Sequence, residues 1–122
     1  MKIQEIYNLA IQKGIEADFR PKAQLEKDLE RKREKFAKLS DEEKKGFDQE
    51  SLKHPYSDSR ILHIANDKEI KKVFVGIDID VGELLLAKEL GDIDLVISHH
   101  PMGRALGDMH EVMDLQADKL RD

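Results

Sequence analysis

The spacing of apolar and polar positions divides the chain into two parts with different periods. From residue 3 to about residue 53, apolar residues recur at helical spacing and charged residues fill the positions between them. From Ile70 onward the pattern changes to short continuous apolar runs, which are typical of strands buried on both faces. We therefore expect a helical segment over residues 1–60, followed by an α/β unit over residues 61–122.

Three helices are predicted in the first part. The first is expected to stop at Gly14, because glycine after an apolar-periodic segment commonly ends a helix. The second has Pro21 in its first turn, where a missing N–H costs nothing. The third begins at Ser40, which forms a capping box with Glu43, and it ends before the loop at 54–59. The apolar stripes expected to be buried are Ile3, Ile6, Leu9 and Ala10 on the first helix and Leu25, Leu29, Phe36 and Leu39 on the second.

The second part is predicted to form a strand, a helix and a second strand. The strands are expected over about residues 72–78 and 94–98, with a helix over residues 82–90 that Gly91 stops. Such tight connections favour parallel neighbouring strands joined by a right-handed crossover. The fold class is therefore α/β. Five apolar side chains of this unit are expected to be mostly buried: Phe74, Val75, Leu85, Val96 and Ile97.

Polar residues lie where the two predicted strands end, which is where parallel sheets bind ligands. His99 and His100 follow the second strand, and Pro101 favours an extended conformation at His100 that fixes the direction of its ring. Two neighbouring imidazoles can each hold one ion of a close metal pair. Alternatively, one is a core histidine and the other a surface residue. The spacing alone leaves both interpretations open.

Further residues are expected to line the same site. Alternation puts Asp78 and Asp80 on one side of the first strand, so both are predicted to border the site rather than to ligate a metal. Arg104 lies close behind His100 at a predicted helix start and is expected to form an anion-favouring corner with the backbone at Gly103. The alternative is a surface arginine paired with Asp108.

Three other features are interpreted as structural. The charged run from Glu26 to Lys38 alternates in sign, which favours a solvated helix face. His110 and Asp114 in "HEVMD" lack the second histidine of the zinc-protease motif, so a helix-surface pair is expected. His54 and His63 lie at a helix end and in a loop, and we expect them to be structural or exposed to solvent.

Composition limits the classes of function. A length of 122 residues allows one domain at most, or a piece of a larger one. The net charge of -5 argues against a general nucleic-acid binder. The lack of cysteine excludes disulfides and thiolate metal sites and fits a reducing, cytoplasmic environment. No apolar run approaches the roughly 20 residues that cross a bilayer, so no membrane contact is expected.

The stretch "VFVGIDIDVGELLLAKELGDIDLVISHHPMG" resembles the N-terminal βαβ segment of the Nif-three-like family, also called GTP cyclohydrolase type 2-like proteins. Asp94 through Pro101 match the family pattern D-L-(I/V)-I-x-H-H-P. The resemblance implies a centre of two divalent ions, such as zinc, iron or manganese, partly ligated by His99 and His100. It also implies an aspartate after a later strand and a His/Glu pair near the C-terminus, and no segment here resembles either.

The resemblance therefore implies an N-terminal fragment of a longer protein, with an incomplete metal-binding domain over residues 61–122. The function implied is a metal-dependent hydrolase of a small, nucleotide-like molecule, homo-oligomeric at full length. The alternative is a non-enzymatic metal-binding or protein-interaction module. In either case we expect the two histidines to share a cleft and the 122 residues to build no complete two-metal centre, since each ion needs four to six ligands.

Overall fold

The computed structural model describes residues 1–102 together with Ala117 and Leu120. The predicted helix beyond Gly103, with His110 and Asp114, lies outside these residues. The described part is α/β, with a helical segment followed by a strand–helix–strand unit, as the sequence predicts. Its elements in chain order are α1 (Ile3–Ala17), α2 (Lys22–Ala37), α3 (Asp41–Lys45), a 3-10 turn (Gln49–Leu52), β1 (Val73–Ile79), α4 (Val81–Leu90) and β2 (Leu95–Pro101).

Helix α1 does not stop at Gly14, as predicted, but continues to Ala17. A Cβ atom at Gly14 would lie 3.0 Å from Cε2 of Tyr56, so this glycine permits the close approach of an aromatic ring rather than ending the helix. The predicted apolar stripe is also partly wrong. Ile3 and Ile6 are half-buried, whereas Leu9 is 44% exposed.

Helix α2 begins directly after Pro21 and buries Leu25 and Leu29 at 5% and 6% exposure. Its remaining surface is charged, in line with the predicted solvated face. The capping box of α3 is confirmed, because the Glu43 N–H donates to Ser40 Oγ at 3.3 Å and the Ser40 N–H donates to Glu43 Oε2 at 2.9 Å. The capping rule thus locates the start of α3 correctly, whereas Pro21 lies at the N-cap of α2 rather than inside its first turn, as predicted.

Strands β1 and β2 are parallel neighbours, as predicted, in a register that pairs Val73 with Leu95 and Asp78 with His100. Helix α4 connects them and contacts β1. Gly91 ends α4 with a φ of 81°, a left-handed conformation that glycine adopts without steric cost. The prediction of a βαβ unit with this helix is therefore confirmed.

The prediction of burial within this unit is wrong for three of its five residues. Val75 is 68% exposed, Leu85 55% and Ile97 41%, whereas Phe74 and Val96 are half-buried. A βαβ crossover places its helix on one face of the sheet. Helix α4 packs on β1, and the exposure of Val75 and Ile77 shows that no second layer covers their side chains within the described residues. Helix α4 is apolar on every side, and its outer residues are equally uncovered.

Asp94, the first residue of the histidine motif, aligns the two strands. Its carboxylate accepts the backbone N–H groups of Lys71 and Lys72 at 2.8 and 2.9 Å and pairs with the Lys68 ammonium at 2.5 Å. The bond with Lys68 has the largest effect on the pKa of Asp94. Together with the two backbone hydrogen bonds it holds that pKa far below its ordinary value of 3.8. Asp94 therefore serves the fold by fixing the start of β1 against the start of β2.

Candidate metal site at the ends of the parallel strands

Both histidines lie within β2, not beyond it. The sequence predicts that the strand ends at residue 98, whereas β2 runs from Leu95 to Pro101. The reason is that β1 continues to Ile79, so that its backbone pairs with β2 through the Ile79–Pro101 register. The histidines consequently sit at the carboxyl edge of the sheet on backbone that the ladder holds extended.

The Asp78 and His100 side chains meet across the two strands. The distance between Asp78 Oδ1 and His100 Nδ1 is 3.0 Å, and the two side chains are 76% and 49% exposed. The His99 and His100 ring centroids are 4.6 Å apart, with ring planes inclined by 33°. Alternation directs adjacent side chains of a strand to opposite faces, yet here the two rings lie side by side. The structure thus brings three predicted site residues together.

The Asp80 side chain caps helix α4 and does not join Asp78 beside His100. Its Oδ1 accepts the Gly82 N–H at 2.7 Å, and its own N–H donates to Glu83 Oε2 at 3.0 Å, which completes a capping box at the start of α4. The Gly82 hydrogen bond, followed by that with Glu83, lowers the pKa of Asp80 below its ordinary 3.8. Its carboxylate is therefore engaged in starting the helix, a role that stabilises α4 through the helix dipole as well.

Arg104 and Gly103, the predicted anion-favouring corner, lie outside the described residues. Ser98 precedes the histidines on β2 opposite Gly76, and its buried Oγ has no hydrogen-bond partner within the described part of the chain. A buried hydroxyl of this kind normally has a partner.

The metal-binding capacity of the described residues is limited. Within residues 1–102, no three histidine, aspartate or glutamate side chains converge closely enough to hold an ion. The donor types at the strand ends, two imidazoles backed by a carboxylate, are those that borderline divalent cations prefer. The donor set therefore fits such a cation in kind, but four or more ligands are needed and two imidazoles supply only part of them.

The buried histidine of the described residues is His54, which lies in the helical segment. It is 3% exposed, its Nε2 lies 2.7 Å from the Tyr7 hydroxyl, and its Nδ1 accepts the Tyr56 N–H at 3.3 Å. The single proton of the Tyr7 hydroxyl can go to either of two acceptors, Glu50 Oε2 or the Ser59 carbonyl, each 3.1 Å away. The expected structural role of His54 agrees with this network, and His63 is exposed. Sequence spacing offered no signal for the network, because Tyr7 and His54 are 47 residues apart.

An open groove of about 490 Å³ runs along α1 beside this network. Its walls include Tyr7 and His54 but neither His99 nor His100. Every side-chain polar atom of Tyr7 and His54 already has a partner, so neither side chain presents an unsatisfied group to a ligand in the groove. The strand ends remain the better candidate site.

No helix among the described residues combines the length and the apolar character needed to span a bilayer. Comparisons of the chain with protein-family models, with curated proteins and with solved structures found no match.

Proposed function

We propose that the strand–helix–strand unit binds divalent metal ions through His99 and His100 and contributes to a metal-dependent hydrolase. The observation that carries this proposal is the side-by-side placement of the two rings, 4.6 Å between centroids, at the carboxyl edge of a parallel pair of strands. Exposed imidazoles in that position have access to a ligand, whereas a core histidine such as His54 does not. This placement favours the metal site over the interpretation of one core and one surface histidine.

The described residues would supply part of the metal site. His99 and His100 would hold the ion, and Asp78 would hold His100. The other ligands must come from residues outside the described part, from water or from another copy of the chain, which is why we also propose that the active form is a homo-oligomer. The sequence resemblance supplies the two-ion stoichiometry and the choice among zinc, iron and manganese.

Chemically, a bound divalent cation lowers the pKa of a coordinated water and stabilises an oxyanion. The chain's own residues would fix the ion at the sheet edge on backbone that strand pairing keeps rigid. We propose a small, nucleotide-like substrate on the basis of the resemblance, with Arg104 holding its anionic group. A chain without cysteine also suits work in the reducing cytoplasm, where we place it.

Metal titration of histidine variants tests this proposal. Zinc or manganese should bind the wild-type chain, and both His99→Ala and His100→Ala should weaken that binding by at least tenfold, because each removes a ligand. His63→Ala is the matched control, since His63 is an exposed histidine that precedes β1 in the chain. Isothermal titration calorimetry and elemental analysis measure the effect. Equal affinity in all three variants would contradict the proposed site.

A non-enzymatic interaction module is the second candidate, and the exposed apolar face of the sheet favours it. Val75 and Ile77 are 68% and 65% exposed on one side of β1, and contiguous exposed apolar surface is typical of protein-interaction sites. A panel of phosphoesters and cyclic amides separates the two candidates. Metal-stimulated turnover that His99→Ala abolishes supports the hydrolase, whereas metal binding without turnover supports the module.

A further inference from the structure

The described contacts distinguish the two adjacent histidines. His100 Nδ1 lies 3.0 Å from Asp78 Oδ1, whereas the His99 ring nitrogens have no hydrogen-bond partner within the described part of the chain. The His99 ring contacts that of His100. One ring is therefore held by a carboxylate and the other by ring packing. This asymmetry has a chemical consequence for His100.

An ionised carboxylate only accepts hydrogen bonds, so the proton of a neutral His100 must lie on Nδ1. The lone pair then lies on Nε2, on the opposite side of the ring from Asp78. The geometry points to Asp78 as a positioning residue, which fixes the tautomer and the direction of the His100 ring so that Nε2 faces a divalent cation. This inference rests on the proposed function, in that the cation is the one proposed to bind there.

The strand register makes Asp78 the residue for this task. Asp78 and His100 are Cα partners on neighbouring strands, so their side chains leave the sheet on the same face. Asp80, two residues later, is engaged with the Gly82 N–H at the start of α4. Glu83 is likewise engaged with the backbone of Asp80. Among these three carboxylates of the β1–α4 junction, Asp78 is the one that contacts an imidazole.

The tautomer is measured directly in the metal-free chain. Long-range proton–nitrogen correlation NMR of His100, at a pH where imidazole is neutral, should show the Nδ1–H form in the wild type. Asp78→Ala should abolish the preference, because the acceptor is gone, whereas Asp78→Asn should retain it through its carbonyl oxygen. A merely structural role of Asp78 would not change which ring nitrogen carries the proton.

Metal affinity gives the second measurement. Removing a carboxylate that orients a histidine ligand weakens metal binding by about 10- to 100-fold, and we expect this loss of zinc affinity in Asp78→Ala, with a smaller loss in Asp78→Asn. Asp58→Asn is the matched control, because Asp58 is an exposed aspartate in the loop after the 3-10 turn. It should bind zinc as the wild type does.

The outcomes separate this inference from the proposed function. An Nε2–H tautomer in the wild type overturns the positioning role. So does a zinc affinity that Asp78→Ala leaves unchanged while His100→Ala lowers it, although metal binding itself would then stand. A wild type that binds no zinc, but whose His100 tautomer depends on Asp78, overturns the proposed function and supports the tautomer assignment.

Discussion

At the scale of single residues, His54 connects α1 to the segment after the 3-10 turn. Its ring accepts the Tyr56 N–H through Nδ1 and bonds Tyr7 through Nε2, so both nitrogens are engaged with the ring neutral. Burial, and then the positive charge of Arg60, lower the pKa of His54 below its ordinary 6.5. Burial also raises the pKa of Tyr7 to about 12, so its hydroxyl stays protonated and can donate.

The lowered pKa predicts that the chain loses stability in weak acid. The unfolded chain takes up the His54 proton near pH 6.5 more readily than the folded chain does. Stability is therefore full above that pH and falls as the pH drops below it. Carboxyl groups with a lowered pKa, such as Glu50 beside Lys53, stabilise the fold at neutral pH. They add to the loss of stability only when the pH falls below about 4.5, the ordinary pKa of a glutamate. Histidine titrates between roughly pH 5 and 7.5. Urea unfolding across this range measures how steeply the free energy of unfolding falls with pH.

His54→Gln should flatten this slope, because it removes the titrating group. His63→Gln, at an exposed loop position, should leave the slope as in the wild type. A slope that persists in His54→Gln would show that another group causes the acid loss, and the prediction would be wrong.

At the scale of elements, the starts of α3 and α4 follow side-chain caps and the end of α4 follows backbone conformation. Asp80 and Ser40 each begin a helix with a capping box. Gly91 ends α4 in the left-handed region at a φ of 81°, whereas Gly46 ends α3 at a φ of −94°, which any residue adopts. The two glycines therefore have the same place after a helix but different backbone requirements.

Alanine substitution at these two glycines should change stability in opposite directions. Gly91→Ala should lower the free energy of unfolding by about 1 kcal/mol, because alanine is strained at a positive φ. Gly46→Ala should raise it by about 0.4–1 kcal/mol, because alanine restricts the unfolded chain and a Cβ there would lie 4.0 Å from the Glu43 carbonyl oxygen, an ordinary van der Waals contact. Chemical denaturation of both variants measures the difference. A destabilised Gly46→Ala together with a neutral Gly91→Ala would contradict this view of the helix ends.

At the scale of the whole molecule, the α/β unit has a small interior and a large uncovered apolar surface. Ile79 and Ala87 are each 7% exposed, and Ile79 packs over Gly76, where a Cβ would lie 2.5 Å from its Cδ1. On the same strand, Ile77 is 65% exposed. An isolated pair of strands is only marginally stable in water. A further layer packed on the face with Val75 and Ile77 would therefore stabilise the unit.

Two isoleucines of β1 test whether the sheet face is uncovered in solution. Ile79→Ala should lower the free energy of unfolding by about 2–5 kcal/mol, because it removes buried methyl groups. Ile77→Ala should cost under about 1 kcal/mol, because its side chain is already exposed and only strand propensity is lost. Denaturation measured over a range of protein concentrations checks both values. An Ile77→Ala cost that equals that of Ile79→Ala would show that another layer covers this face.

The sequence predicted the elements of the α/β unit well and its burial poorly. The apolar runs identified both strands, their parallel pairing and α4, and Ser40 identified the start of α3. The sequence predicts too short a β2, because the polar His99 and His100 resemble the residues after a strand, whereas pairing with β1 extends β2 through both of them. Gly14 is wrongly predicted to end α1, because its close contact with Tyr56 is 42 residues away in sequence and leaves no local pattern.

The sequence by itself determined what neighbouring residues decide: the periods that form helices and strands, the caps that begin helices, and the clustering of polar residues at the strand ends. Those features depend on backbone geometry and contacts within about one helical turn. Only the tertiary structure decided that Asp78 meets His100, that Tyr7 meets His54, and that Val75 faces solvent. The physical reason is that strand register and layer packing set these distances, and both depend on contacts between residues far apart in sequence.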